Sequence, residues 1–461
     1  MKKSLLILVT LFSLATNAQF NVIFNIGPQT GINLVGTPVT DGTYLYGMAN
    51  IGGFHDYGFV FKVKPNGTGY DTIHSFKGYP SDGTYPFGSL YFDGTFLYGM
   101  TGGGGLNNDG SIFKVKPDGS GYSKLLDFAG GSNGFNPHGA FISDGTYLYG
   151  MTDEGGINNY GLVFKIKKDG TGYTKLHSFT SNPDGANPYG SLYYDGTFLY
   201  GMTKSGGVYG EGTIFKVTPT GTGYTKIHNF GSVTGGNQPQ GSLISDGTFL
   251  YGMTTNGGIG GCACNGTIFK IKPDSTAYDT IHNFNNSEGS SPMGSLILDG
   301  TTLYGVTDVG GPNSYGTIFK MMTNGTGYSI LQNFAGTNGS NPQGDLLNTG
   351  GCLYGMTNSG GGSNAGVIFN FCISGLGIEK VTSGNEQVSI YPNPSSGRFN
   401  IETGLTDQQI VKVYDVNGKI VFSQAIYGTI TLDANELNEG VYYLSITSIE
   451  GMVNKKIVIV K

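Results

Sequence analysis

The sequence predicts an all-β chain: a seven-bladed β-propeller closed by an N-terminal strand, followed by a small C-terminal β-sandwich of Ig-like type. Three observations predict it. The triplet Leu-Tyr-Gly ends at Gly47, Gly99, Gly150, Gly201, Gly252, Gly305 and Gly355, so its copies stand 52, 51, 51, 51, 53 and 50 residues apart. A period near 50 residues built of strand-like pieces marks one propeller blade per repeat. The 82 glycines fall at turns between short runs of Tyr, Phe, Ile, Val and Thr, which suit pleated strands. The repeat stops at residue 372, and a different strand pattern begins near 386.

Met1 to Ala18 reads as a secretory signal peptide. Lys2 and Lys3 open it, Leu5 to Leu14 is apolar, and Thr16-Asn-Ala18 offers small residues for cleavage. Its apolar run is about half of the roughly 20 residues that span a bilayer. No later segment is long and apolar enough to span.

Residues 19–372 form the predicted propeller. In the copy around Gly201, strand A is Gly190-Ser-Leu-Tyr-Tyr194 and strand B is Thr197-Phe-Leu-Tyr-Gly-Met-Thr203. Strand C is Thr213-Ile-Phe-Lys-Val217 and strand D is Tyr224-Thr-Lys-Ile-His-Asn-Phe230. Asp195-Gly196 joins A to B as a tight hairpin, because Gly tolerates positive φ. A Pro-x-Gly-Thr-Gly turn joins C to D. The B–C and D–A connections are longer and vary.

Phe20-Asn-Val-Ile-Phe-Asn-Ile26 is an orphan strand D, whereas the seventh repeat has A, B and C only. Closing the ring therefore requires the N-terminal strand to complete the last blade. Joining ends ~350 residues apart costs about 5 kcal/mol of loop entropy. Burying Val22, Ile23 and Phe24 at ~1.5–3 kcal/mol each offsets that and covers a blade edge. The Gly inside each strand B weakens a strand unless a ring or backbone lies across it, which is a packing role.

Residues 373–385 have no place in the repeat and read as a linker; 386–461 hold several short strands, with Asn417-Gly418 as a hairpin turn. These strands closely resemble the type A sorting domain of the type IX secretion system of Bacteroidetes-like bacteria. The resemblance is carried by Tyr391-Pro-Asn-Pro-Ser-Ser-Gly397, Val413-Tyr-Asp-Val-Asn-Gly-Lys419, Leu437-Asn-Glu-Gly-Val-Tyr-Tyr443 and the Lys455-to-Lys461 end. It implies export across the outer membrane, handled by the type IX machinery, usually with removal of the domain and attachment to surface lipopolysaccharide. The repeats resemble the Gly-rich tandem family called GloVer, through Asp-Gly-Thr-x-Leu-Tyr-Gly-Met-Thr, then Gly-Gly, then Gly-Thr-Ile-Phe-Lys. That resemblance spans about residues 20 to 372 and implies localisation and fold without an activity.

The formal net charge is −6 and Arg398 is the only arginine, so no basic patch serves a nucleic acid. His74, His177, His228 and His282 share one place in strand D, where other copies put Phe24, Leu126 and Gln332. Such a place is filled for packing, and the blades keep these rings too far apart to share a metal. No metal and no cofactor are expected. Cys352 and Cys372 bracket strands B and C of the seventh repeat. An antiparallel register that sets Thr357 opposite Val367 also sets the two cysteines opposite each other, within reach of a disulfide. Cys262 and Cys264 share a B–C loop, and a strained disulfide, free thiols and a metal site are all open for them.

The B–C and D–A loops emerge on one face, and variable loops on a rigid scaffold carry function. The residue between Pro and Gly before strand A is Phe87, His138, Tyr189, Gln240, Met293 or Gln343, expected to ring the channel mouth. Tyr57, Tyr160, Tyr209 and Tyr315 sit in the B–C loops. Tyr with Asn and Gln suits sugars or peptides. The expectation is a monomeric, exported or surface-held, non-catalytic module binding glycan or protein. The alternative is a polysaccharide-acting hydrolase or lyase using Asp153, Glu154 or Glu211. Two carboxylates, or a carboxylate beside Tyr and Lys, meeting in one pocket would favour the enzyme.

Overall fold

The computed structural model describes residues 19–27, 31–231, 235–259, 265–372, 389–393, 395–402, 408–414, 420–435, 437–448 and 451–460. The signal peptide 1–18, the linker 373–385, and Cys262 with Cys264 lie outside the described residues. The chain divides into two compact units, one of Phe20–Thr349 with Leu353–Phe371, the other dominated by Cys372–Lys461. No helix among the described residues is long and apolar enough to cross a membrane.

The first unit holds seven four-stranded antiparallel sheets. Six run A–B–C–D in chain order. Blade one is Ile32–Thr40, Leu45–Ile51, Phe59–Val63 and Asp71–Ser75; blade four is Tyr193–Tyr194, Leu199–Thr203, Thr213–Val217 and Thr225–Asn229. The seventh is built from Leu347–Thr349, Cys352–Met356 and Val367–Cys372, and its outer strand is the N-terminal Gln19–Asn25. Cys352 and Cys372 form a disulfide across that blade.

Register explains the repeat's residues. Gly201 stands opposite Phe215, and a Cβ on Gly201 would meet the Phe215 ring. The same holds for Gly47 with Phe61, Gly99 with Phe113 and Gly305 with Phe319. Strand B thus gives up its side chain so that a strand C phenylalanine can cross it. Asp195 accepts the N–H groups of Thr197 and Phe198, each at 2.7 Å, and the Tyr200 hydroxyl at 2.9 Å. The Asp-Gly turn is therefore also a tyrosine anchor.

The cores lie between blades. Tyr149, Met151, Val163 and Phe179 of blade three pack with Leu192, Leu199, Phe215 and Val217 of blade four. At the rim, each strand D histidine stacks on a tyrosine of the next blade. His74 lies 3.5 Å from Tyr122, His177 3.7 Å from Tyr224, His228 3.9 Å from Tyr278 and His282 4.1 Å from Tyr328, between ring centroids. Carboxylates meet three of them: Asp82 Oδ2 stands 2.9 Å from His74, Asp184 Oδ2 2.8 Å from His177 and Glu288 Oε2 3.5 Å from His282.

At the axis, seven glycines form a closed chain of contacts. A Cβ on Gly36 would meet the carbonyl of Gly88, and so on through Gly139, Gly190, Gly241, Gly294 and Gly344 back to Gly36. Backbone packs on backbone here, which only glycine permits. Next to them, N–H groups reach hydroxyls of the following blade: Thr37 to Ser89 at 2.8 Å, Ser191 to Ser242 at 2.8 Å, Ser242 to Ser295 at 2.7 Å.

The C-terminal unit is a sandwich of a three-stranded and a four-stranded sheet. Phe399, Ile401 and Leu432 from the first share one core with Val411, Val413, Leu444 and Ile457 from the second. Strands Gln408–Tyr414 and Ile420–Tyr427 pair as the hairpin expected on either side of Asn417-Gly418, a turn outside the described residues.

Candidate functional site

The loop face is built by one device used in blade after blade. The residue before each Pro-x-Gly proline has a positive φ: 53° at Tyr85, 54° at Asn136, 55° at Asn187, 54° at Gln238, 53° at Ser291 and 56° at Asn341. Proline disfavours helical dihedrals in the residue before it, and a left-handed conformation there costs about 1–3 kcal/mol. The preceding blade holds it. Tyr85 donates its N–H to the Tyr57 carbonyl at 3.0 Å, Asn187 to Tyr160 at 3.0 Å, and Asn341 to Tyr315 at 3.1 Å.

This gives three of the four loop tyrosines a backbone role. A Cβ on Gly78 would meet the Tyr57 ring, and one on Gly231 would meet Tyr209. None of Tyr57, Tyr160, Tyr209 and Tyr315 lines the axial cavity or the cavity beside it.

The six Pro-x-Gly residues do come together. Phe87, His138, Tyr189, Gln240, Met293 and Gln343 all line the axial cavity, with Val35 contributed by blade one. Val35 had no signal, because blade one reads Asn33-Leu34-Val35-Gly36 without the proline. The mouth is one-sided. His138 stacks on Tyr189 at 4.3 Å, and Phe87 meets His138 edge-on at 4.6 Å. Those three come from consecutive blades; the remainder of the ring is amide and aliphatic.

A side cavity of about 280 Å³ opens at Tyr189, lined also by Asp153, Asn187, Lys204, Ser205 and Gln238. Asp153 and Lys204 occupy equivalent places, the residue after the last Thr of strand B, in blades three and four. Asp153 Oδ2 is 4.0 Å from His138 Nε2, with side chains 17% and 9% exposed. Burial pushes the Asp153 carboxyl up to about 6, helped by Glu154 and opposed by Lys204 and Asn187. Burial, with Lys204 nearby, pulls His138 down to about 4, so its ring is neutral at physiological pH. His138 Nδ1 has no hydrogen-bond partner among the described residues.

Of the three acids nominated from sequence, only Asp153 lines this cavity. Glu154 accepts a hydrogen bond from Asn136 Nδ2 at 3.4 Å, and the Glu211 carbonyl accepts the N–H of Gln238 at 2.9 Å. Lys204 carries no sequence signal of its own: the same place holds Asn50, Gly102, Asp153, Thr255, Asp308 and Asn358 in the other blades, and none of these is basic. Among the described residues, no group of three or more His, Cys, Asp or Glu could hold a metal.

The model of the Gloeobacter/Verrucomicrobia repeat matches residues 7–156, 139–262 and 259–400. That of the secretion system C-terminal sorting domain, of type IX, matches residues 389–460. No curated protein matches the chain. Among solved structures, the chain is similar to the extracellular domain of a protein of B. thetaiotaomicron described as a hybrid two component system. The TM-score is 0.52 at 14% identity, over 97% of this chain and 60% of that one. A second structure of that extracellular domain, described as a one component system, gives 0.51 at 15% identity, over 96% and 59%. The tricorn protease gives 0.38 at 13%, over 92% and 39%. The chain thus spans about 60% of the length of the first two, and the likeness concerns the fold.

Proposed function

We propose a non-catalytic binding role for this chain, which belongs to the Gloeobacter/Verrucomicrobia repeat family and carries a type IX sorting domain that directs it to the cell surface or out of the cell. The ligand is a glycan or a protein, held on the loop face at the channel mouth. The observation that supports this reading most is the wall of Phe87, His138 and Tyr189, three rings in mutual contact along the axial cavity, of which Tyr189 also borders the side cavity. Aromatic walls with a few polar groups beside them are the usual dress of a binding pocket. The scaffold is rigid, since backbone contacts set the axis and a disulfide ties strands B and C of the blade that the N-terminal strand completes, so little ordering cost falls on binding.

A second reading has its own observation. Asp153, Tyr189 and Lys204 meet in one cavity, with His138 beside Asp153. A carboxylate next to a phenol and an amine is the minimum for proton transfer in a polysaccharide hydrolase or lyase. This meets the arrangement of a carboxylate beside Tyr and Lys that favours an enzyme, and it favours a lyase: a paired-carboxylate hydrolase needs two acids at ~5–9.5 Å, and this cavity is lined by one.

One experiment decides between them. The exported chain is screened against glycan and protein arrays, and every bound polysaccharide is then incubated and analysed for shortened products. Binding without breakdown, weakened when Phe87, His138 and Tyr189 are replaced together by Ala, is the expected result. Breakdown that Asp153→Asn abolishes would establish the enzyme. Binding indifferent to the triple replacement would move the site away from the mouth.

A further inference from the structure

The B–C and D–A connections, up to the axial glycines, carry nine carboxylates and two lysines, Lys77 and Lys204. The ion pairs that lysines do make, at Lys62, Lys124, Lys168 and Lys270, all lie on strands or on the C–D turn, outside these connections. Lys77, at the rim, makes none among the described residues and lines neither cavity. Lys204 makes no ion pair among the described residues. Its Nζ stands 5.5 Å from the Tyr189 ring centroid, on the wall of the side cavity.

The neighbours sharpen the point. Ser205 Oγ donates to Asn187 Oδ1 at 2.7 Å, and Asn187 Nδ2 donates to the Asp153 carbonyl at 3.1 Å, so these two are engaged. Gln238 Oε1 accepts from Asn256 Nδ2 at 3.0 Å, which leaves the Gln238 amide N–H groups as donors. The Tyr189 hydroxyl has no partner among the described residues. Three donors, one of them charged, therefore border a cavity whose single acid is Asp153.

We infer that this cavity seats one acidic sugar at the end of an otherwise neutral glycan, its monoanionic group on Lys204 and Gln238 and its hydroxyls toward Asp153. The inference rests on the binding role proposed above. Size supports a single residue, because about 280 Å³ lies at the small end of ligand pockets, which run ~300–1,000 Å³. Charge supports a single anionic group, because a polyanion meets the field of nine carboxylates before it reaches one lysine. A carboxylate and a sulfate ester both meet the description.

The test is calorimetric titration of the full exported chain with three probes: a neutral glucose trisaccharide, the same chain ending in glucuronate, and the same chain ending in 6-sulfated glucose. One acidic probe is expected to bind at least tenfold tighter than the neutral one, and which one identifies the group. Lys204→Met should erase that preference, a loss of about ten- to a hundredfold, while Lys204→Arg keeps it. Thermal melts confirm that both variants fold. Equal binding of all three probes, or a preference that survives Lys204→Met, overturns the acidic seat and leaves the binding role intact. Failure of every saccharide, with a protein ligand still lost on replacing Tyr189, does the same. Tighter binding of a polyuronate than of the singly charged probe also overturns it. Cleavage of a probe overturns the non-catalytic role instead.

Discussion

Phe24 lies flat on Tyr70, with ring centroids 4.2 Å apart and planes 4° apart. Phe24 belongs to the N-terminal strand of blade seven, and Tyr70 precedes strand D of blade one. The pair is the seam's counterpart of the histidine–tyrosine stacks elsewhere on the rim, such as His177 on Tyr224. The ends of the propeller are thus joined by the contact that joins its middle.

Phe24→Ala should therefore weaken the whole ring. The lost burial and stacking amount to about 1–3 kcal/mol. A lowered melting temperature, with faster amide exchange in the adjoining strand Val367–Cys372, is the expected measurement. Unchanged exchange there would mean that the seam does not depend on this stack.

Three glycine-to-alanine changes should rank in a fixed order. Gly196 has φ of 94° and open space around it, so Gly196→Ala costs only left-handed strain, about 1 kcal/mol. Gly201→Ala pushes on the Phe215 ring and should cost about 1–3 kcal/mol. Gly139→Ala meets the carbonyl of Gly190, a backbone atom of the next blade that cannot turn aside, and should cost about 3 kcal/mol or more. Denaturant titration of the three variants checks the order.

Asp153 should destabilise the fold at neutral pH. Its native carboxyl titrates near 6 against an ordinary 3.8, because burial disfavours the charge. Between those values the native state holds more protons than the unfolded chain, so this group's contribution falls as pH rises through the window. Above pH 6 the penalty is complete. Asp153→Asn is expected to raise stability by about 1–3 kcal/mol at pH 7.5 and to leave it unchanged near pH 3. Equal melting temperatures at both pH values would show that the carboxyl is well solvated.

Deleting residues 386–461 should leave the protein in the periplasm, since the sorting domain is the part recognised by the type IX machinery. Protease shaving of intact cells, followed by immunoblotting of the periplasmic fraction, reads this directly. Undiminished surface display after the deletion would remove the sorting role.

The fold was legible because each repeat writes its strands, turns and missing edges in local chemistry. The orphan strand at Phe20 and the facing cysteines at 352 and 372 needed only counting and antiparallel register. The six mouth residues were legible because Pro-x-Gly marks them. What escaped was whatever depends on a neighbour one blade away. His74 finds Tyr122 only after the ring has formed, and Lys204 becomes notable only beside Asp153 and Tyr189. The backbone work of the loop tyrosines was equally hidden, since Tyr57 holds Tyr85 through its carbonyl, which no sequence pattern advertises.

The axial glycines have a last consequence. They fix the bore with backbone alone, while the residue before each one, from Val35 round to Gln343, faces the mouth. Diameter and identity are therefore written in separate letters. The channel behaves like a lock with seven teeth, each of which can be recut without altering the barrel that holds it.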